Sequence, residues 1–297
     1  MERRRLGGTS MEVSVLGFGG AELGDEAAPA RTAQRLLDEA LDAGLNVIDT
    51  AECYGDSESL IGGVAPRRGS FYLFTKCGHA AGLPGAAWEP ETLRASIERS
   101  LRRLRTDYVD LLQLHSCPLA VLERGDAIAV LDQARREGKT RFVGYSGDGP
   151  EALWAVRSGH FDTLQTSVSI ADQEVIERTL PEAAARGMGV IAKRPIANAA
   201  WRTGQRPEKP YHHTYWERLR RLTYDFLDGS TQDAVGTALR FTLATPGVHT
   251  AIVGTARPGR WQENARLLAQ GPLPADAYRA IRARWREVAE ADWTGQR

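Results

Sequence analysis

Cysteine is scarce in this chain: Cys53, Cys77 and Cys117 are the three present among 297 residues, and no two stand in CxxC spacing. So few thiols exclude a disulfide framework and fit a reducing, cytoplasmic setting. There is no apolar run near the ~18 residues of a membrane span, so no membrane partner is expected. There is no excess of either charge, since Lys+Arg and Asp+Glu both number 38. A nucleic-acid partner would want a basic excess, and none is expected. Low-complexity stretches, Gly/Pro/Ser linkers and composition shifts are also missing, so residues 1–297 read as one domain. Arg3-Arg4-Arg5 resembles the start of a twin-arginine export signal. The apolar stretch behind it is short, interrupted by Glu12 and followed by no small-residue cleavage site, so it is read as mature sequence. The sequence leaves the oligomeric state open.

What the chain does have is alternation. Short apolar runs at 13–19, 46–48, 71–75, 108–114, 141–145, 163–166, 189–192 and 248–253 read as strands. Helical spacing fills the intervals at 31–43, from Pro90 through Leu104, and at 121–137, 150–158, 173–186 and 231–243. Strand-then-helix repetition predicts a parallel sheet with right-handed crossovers. About eight such units predict closure into a single α/β (β/α)₈ TIM barrel, with an open doubly wound sheet as the alternative. One connection is unusually long, at 194–230, and is expected to lie over the catalytic rim. Residues 274–293 read as an added C-terminal helix.

In such a barrel the active site lies at the carboxyl ends of the strands. Asp49 follows the second run, Lys76 the third and His115 the fourth, and Tyr54 lies five residues after Asp49. These four can perform one reaction. A carbonyl that accepts hydride develops negative charge on oxygen and needs a proton. A tyrosine gives it up once a cation stabilises the phenolate, and Lys76 is that cation. Asp49 can hold Lys76 by an ion pair, and His115 can hydrogen-bond the carbonyl oxygen. Taken singly, Asp49 also reads as a helix cap and His115 as a structural histidine.

The run Asn46-Val47-Ile48-Asp49-Thr50-Ala51-Glu52-Cys53-Tyr54-Gly55 resembles the signature of the aldo-keto reductase family. Phe74-Thr75-Lys76 resembles its lysine strand, Leu111-Leu112-Gln113-Leu114-His115-Ser116 its histidine strand, and residues 5–19 its N-terminal hairpin and first strand. The resemblance covers nearly the whole chain. It implies a barrel, an NADP(H) cofactor extended across the rim, no metal, and a small-molecule carbonyl substrate. The segment Gly254-Thr255-Ala256-Arg257-Pro258-Gly259-Arg260 with Glu263 and Asn264 resembles the family's site for the adenosine 2′-phosphate and adenine. The strand-to-helix junction there suits a phosphate, as do the hydroxyl of Thr255 and the planar cation of Arg260. Gly254 departs from the pattern, because many members have lysine there. Ser146 and Gln165 match the family's carboxamide contacts, while Gly147 stands in place of an asparagine. No aromatic ring ends the seventh strand, which leaves Arg194 as the candidate to stack on the nicotinamide.

Other features are set aside. Gly17-Phe18-Gly19-Gly20 lacks the third glycine of GxGxxG, since position 22 is Glu, so these glycines are expected at packing or turn positions. All three cysteines lie within two residues of a tetrad member, and His79 is near. Cys77, adjacent to Lys76, should point outward from the barrel, and the thiols are expected to be packing residues rather than metal ligands. Cys117, placed in a loop, is expected to be the one most open to oxidation. Aromatic residues nominate Trp88, Trp201, Tyr211 and His212 for the substrate pocket, Trp201 foremost, while 202–209 reads as a lid and 215–227 as partly helical fixed packing. The function expected is NADPH-dependent reduction of an aldehyde or ketone. The alternatives are an NADP-binding regulatory or scaffold subunit, and an NADP-assisted epimerase or lyase of a biosynthetic pathway.

Overall fold

In the computed structural model, which describes residues 1–25, 29–63 and 65–296, eight parallel strands close into a barrel. An antiparallel pair, β1 (Arg3–Arg5) and β2 (Glu12–Ser14), precedes it. The barrel strands are β3 (Leu16–Gly19), β4 (Val47–Asp49), β5 (Tyr72–Cys77), β6 (Val109–His115), β7 (Thr140–Ser146), β8 (Thr163–Ser167), β9 (Gly189–Lys193) and β10 (Thr250–Gly254). β10 pairs with both β9 and β3, which closes the ring. The expected (β/α)₈ barrel with an N-terminal hairpin and a C-terminal helix is the fold observed.

Three boundaries differ from the sequence pattern, each for a local reason. The run 13–19 is divided between β2 and β3, because Ser14 turns the chain. Its N–H donates to Asn46 Oδ1 at 2.6 Å and its hydroxyl to Leu16 O at 2.6 Å. The single helix expected at 121–137 is two, Leu119–Arg124 and Asp126–Arg136, because Gly125 adopts φ 80°. Glycine carries no steric penalty there, so the helical period continues while the backbone breaks. The helix expected at 173–186 begins as a 3₁₀ turn, Glu174–Ile176, and resumes as Thr179–Ala185 after non-helical Arg178.

The strand period of two divides the barrel interior into layers. Val47, Phe74, Leu111, Ile191 and Ile252 meet Leu6, Met11 and Val13 of the hairpin segment in one buried apolar cluster, which forms the floor. Two residues further along the same strands come Asp49, Lys76, Gln113 and Lys193, so the polar layer sits directly above a dry one. Gly17 belongs to the crowded floor, where a Cβ would meet Val47 Cγ1 at 2.9 Å and Ile252 Cγ2 at 3.1 Å. It is a packing glycine, as expected, and not part of a phosphate loop.

The 194–230 connection carries its own helix, His213–Leu222, so the expectation of fixed packing over 215–227 holds for that part. Tyr215 is fully buried and donates to Asp172 Oδ2 at 2.6 Å. Arg218 pairs with Asp172, donates to Thr294 O at 2.8 Å and lies 5.3 Å from the Trp293 ring centroid. The C-terminal helix Ala275–Val288 joins the same cluster through Ile281 and Trp285, with Tyr215, Leu219, Leu222, Phe241 and Trp293. Leu222 is fully buried there. Truncating a buried leucine costs both transfer energy and a cavity, so Leu222→Ala is expected to lower stability by about 2–5 kcal/mol. Denaturant unfolding measures this, and a loss under ~1 kcal/mol would mean that the connection is not fixed on the barrel.

Candidate active site

Asp49 ends β4, and Lys76 and His115 lie at the ends of β5 and β6, on neighbouring strands of one rim. Lys76 Nζ donates to Asp49 Oδ2 at 2.6 Å and to Thr50 O at 2.8 Å. Both side chains are buried, so the pair sits where charge–charge attraction is little screened. Tyr54 returns over the pair on the turn after β4, with Lys76 Nζ 5.1 Å from its ring centroid. Its ring meets that of His115 edge-on at 5.8 Å. The four expected residues are therefore one cluster.

The protonation states follow from burial. Burial pushes the Tyr54 phenol up to about 12, with Lys76 opposing, so the phenol keeps its proton in neutral water. Burial alone would lower the Lys76 ammonium, but Asp49 and Tyr54 hold it above its ordinary range. Burial, joined by the charges of Lys76 and other nearby cations, drives the His115 imidazole well down, so it is neutral. A protonated phenol and a neutral imidazole thus face the mouth above a locked cation.

Gln113 was not singled out by sequence reasoning, although it lies two residues before His115 and so faces the same way. Its Nε2 donates to Gln165 Oε1 at 2.9 Å and to Asp49 Oδ1 at 3.4 Å. Gln165 Nε2 in turn donates to Asp49 Oδ2 at 3.3 Å. Gln165, nominated as a carboxamide contact, is therefore engaged with Asp49. Ser146 remains the better fit for a carboxamide, since its Oγ is buried with no hydrogen-bond partner. Gly147 stands in the family's asparagine position because a Cβ there would lie 2.5 Å from Tyr145 Oη. Arg194 is held by Tyr211 Oη at 2.6 Å, Ser167 Oγ at 2.8 Å and Gln296 O at 2.5 Å. It also lies 3.7 Å from Asp148 Oδ2, to which Lys193 Nζ binds at 2.9 Å.

In the segment nominated for the nucleotide, a helix, Arg260–Leu268, starts shortly after Thr255. Thr255 Oγ1 accepts from Arg257 N at 3.1 Å. Arg260 Nη1 donates to Glu263 Oε2 at 2.7 Å, and Asn264 is buried. Two carboxylates also stand here that the sequence did not nominate. Glu39 Oε2 accepts from Gly259 N at 2.7 Å, and the Glu22 carboxylate occupies the space that a side chain at Gly254 would need. The cation and hydroxyl fit a phosphate, while these acids flank it.

Among the nominated rings, Trp88 is the one at the cluster: it lies 5.3 Å from the His79 ring and donates from Nε1 to His115 O at 3.2 Å. Trp201 packs against both large apolar clusters. Tyr211 is exposed and holds Arg194, with His212 beside it at 6.0 Å. Cys77 is fully buried in the outer core, facing away from the barrel interior as expected. Cys117 is also fully buried, which corrects the expectation that its loop exposes it to oxidation. Cys53 is the partly exposed thiol.

A closed parallel barrel with a buried Asp–Lys pair beneath a tyrosine and a histidine defines an oxidoreductase acting on carbonyl or CH–OH groups. Residues 15–286 match the model of the Aldo/keto reductase family, and the chain belongs to that family. It is 28% identical to L-galactose dehydrogenase of Arabidopsis thaliana over 91% of this chain and 89% of that one. It is 29% identical to NADH-specific methylglyoxal reductase of Escherichia coli over 66% of this chain and 68% of that one. The solved holo form of an aldo-keto reductase from Bacillus halodurans superposes with a TM-score of 0.82, at 26% identity and 99% of both chains. NAD(P)(H)-dependent carbonyl chemistry comes with the family. No helix among the described residues is long and apolar enough to cross a membrane.

Glu52, two residues before Tyr54, was not among the residues expected at the site. It is buried and neither carboxyl oxygen has a side-chain hydrogen-bond partner. Burial and the neighbouring Glu58 raise its pKa from 4.5 to about 8. A carboxyl whose folded pKa is raised binds more protons folded than unfolded between those two values. Its stabilising share is complete below 4.5 and is lost as pH rises through about 8. The melting temperature is therefore expected to fall across that window, and Glu52→Gln to reduce the fall. Calorimetry across the window checks this, and an equal slope in both proteins would rule it out.

Proposed function

We propose that the protein reduces an aldehyde or ketone to the alcohol with NADPH, Tyr54 giving the proton. The observation that carries this reading is the Lys76–Asp49 contact at 2.6 Å lying directly beneath Tyr54. When bound, the nicotinamide cofactor supplies a hydride to the carbonyl carbon. His115, neutral and edge-on to Tyr54, orients the carbonyl oxygen by a hydrogen bond. Tyr54 Oη passes its proton to that oxygen, and the phenolate left behind is held by the Lys76 ammonium until solvent reprotonates it. Asp49 keeps Lys76 charged and fixed. Ser146 is the residue proposed to hold the carboxamide, supported by its orphaned hydroxyl. Trp88 is proposed as the aromatic wall of the substrate pocket, supported by its contacts with His79 and the His115 carbonyl.

NADPH is proposed over NADH on the strength of Arg260 and Thr255 at the helix start, with Glu263 and Asn264 toward the adenine. Glu22 beside Gly254 and Glu39 on Gly259 oppose a second negative group, so the preference should be narrow.

Tyr54→Phe is expected to lower carbonyl turnover by at least ~10²-fold, the scale of a positioned acid, with little change in cofactor affinity. Near-normal turnover would sink the assignment. In the wild type, reduction should be insensitive to pH through the neutral range and fall only as Tyr54 deprotonates toward 12, because the protonated phenol is the active form. A rate that already falls near neutral pH would mean another proton donor. Arg260→Ala should weaken NADPH binding about tenfold to a hundredfold, the worth of one charge-assisted hydrogen bond, and leave NADH nearly unchanged. Fluorescence titration of each cofactor measures it; equal wild-type affinities would remove the proposed preference.

A further inference from the structure

Beside Tyr54 lies a second constellation, which shares His115 with the carbonyl chemistry and adds two residues which that chemistry does not use. Cys53, His79 and His115 come from three different segments: the turn after β4, the loop after β5 and the end of β6. One ligand atom from each falls within 4.8 Å of the others. Cys53 Sγ and His115 Nδ1 are 3.5 Å apart, and the His79 and His115 rings meet edge-on at 4.8 Å. All three residues are partly exposed, so an ion can reach them from solvent.

The donor set is selective. One thiol and two imidazoles are soft-to-borderline ligands, which suit zinc and exclude magnesium or calcium. Tetrahedral zinc with bonds of about 2.3 Å to sulfur and 2.0–2.1 Å to nitrogen places its ligand atoms roughly 3.3–3.6 Å apart. The Cys53–His115 pair already has that separation. Closing the set needs the His79 nitrogen to move inward by up to roughly 1.5 Å. Three protein ligands leave one tetrahedral position for water.

We propose that Cys53, His79 and His115 form an inhibitory binding site for a zinc-class divalent cation inside the active-site mouth. On binding, the Cys53 S–H bond breaks, its proton passes to solvent, and the sulfur lone pair forms the S–Zn bond. His79 and His115 each give a nitrogen lone pair, and nothing is oxidised or reduced. The ion, bound to Nδ1, fixes the His115 ring in the orientation of a ligand rather than in the one that the carbonyl oxygen needs. It also places a divalent charge beside the Lys76–Asp49 pair. Carbonyl turnover then stops reversibly. This loss of activity rests on the reductase reading; the occupancy of the site does not.

The test uses the intact protein and two probes. Cobalt(II), added to metal-stripped enzyme, should bind one to one and give a near-ultraviolet thiolate-to-cobalt band with visible absorption of a tetrahedral site. Cys53 is the ligand such a band requires, since Cys77 and Cys117 are both fully buried. Cys53→Ser should abolish the band. His79→Ala should weaken cobalt binding at least tenfold, because even outer partners of a metal ligand are worth about 10–100-fold in affinity. Zinc should suppress carbonyl turnover in the wild type, a chelator should restore it, and both variants should keep turning over in zinc. A cobalt spectrum with no thiolate band, or a band that survives Cys53→Ser, overturns the site without touching the reductase reading. Equal zinc sensitivity in wild type and both variants overturns the inhibition. The wild-type cobalt spectrum decides occupancy even where a variant does not fold. Absence of any carbonyl turnover counts against the reductase reading while the spectrum still decides the site.

Discussion

The ion pair between Lys76 and Asp49 is the constraint on which the rest of the site depends. Two charges buried at the barrel's polar layer cost several kcal/mol each to remove from water, and only close pairing with further hydrogen bonds offsets that cost. The surroundings supply those bonds: Thr50 O accepts from Lys76, and Gln113 and Gln165 donate to Asp49. The pair and these partners come from four strands or their ends, so strand register and the geometry of the site are the same requirement. The apolar floor beneath them excludes water and keeps the attraction strong. Tyr54, partly buried over this pair, remains protonated because desolvation outweighs the cation that Asp49 has already matched.

A second buried network stands across the mouth. Asp148 is raised by burial, yet Lys193 and Arg194 outweigh this and hold it below its ordinary range. Arg194 also binds Tyr211 of the long connection and the carbonyl of Gln296, so the end of β9, that connection and the C-terminal segment meet at one guanidinium. The nitrogens of Arg194, the residue nominated to stack on the nicotinamide, tie three segments together, a use suited to a planar fork with several donors.

Much of the architecture was legible because strand and helix periods are local properties. The eight runs, the order of Asp49, Tyr54, Lys76 and His115, and the outward direction of Cys77 all follow from spacing along the chain. Boundaries were less legible where one backbone angle or one side-chain bond decided them, as at Gly125 and Ser14. The wrong expectation for Cys117 has a similar origin: a loop position says nothing about what covers it, and here nothing is left exposed.

The sequence by itself determined the fold class, the family and the four residues over which the carbonyl chemistry is read, because each rests on residue type and on separations within single segments. Only the tertiary structure decided which groups meet from distant segments. It brought Gln113 and Gln165 onto Asp49, Glu22 against Gly254, Glu39 onto Gly259, and Cys53 with His79 toward His115. None of these pairings has a period or a motif. They arise because barrel closure brings strand ends far apart in sequence to one rim, and because burial then sets the protonation state of whatever has been gathered there.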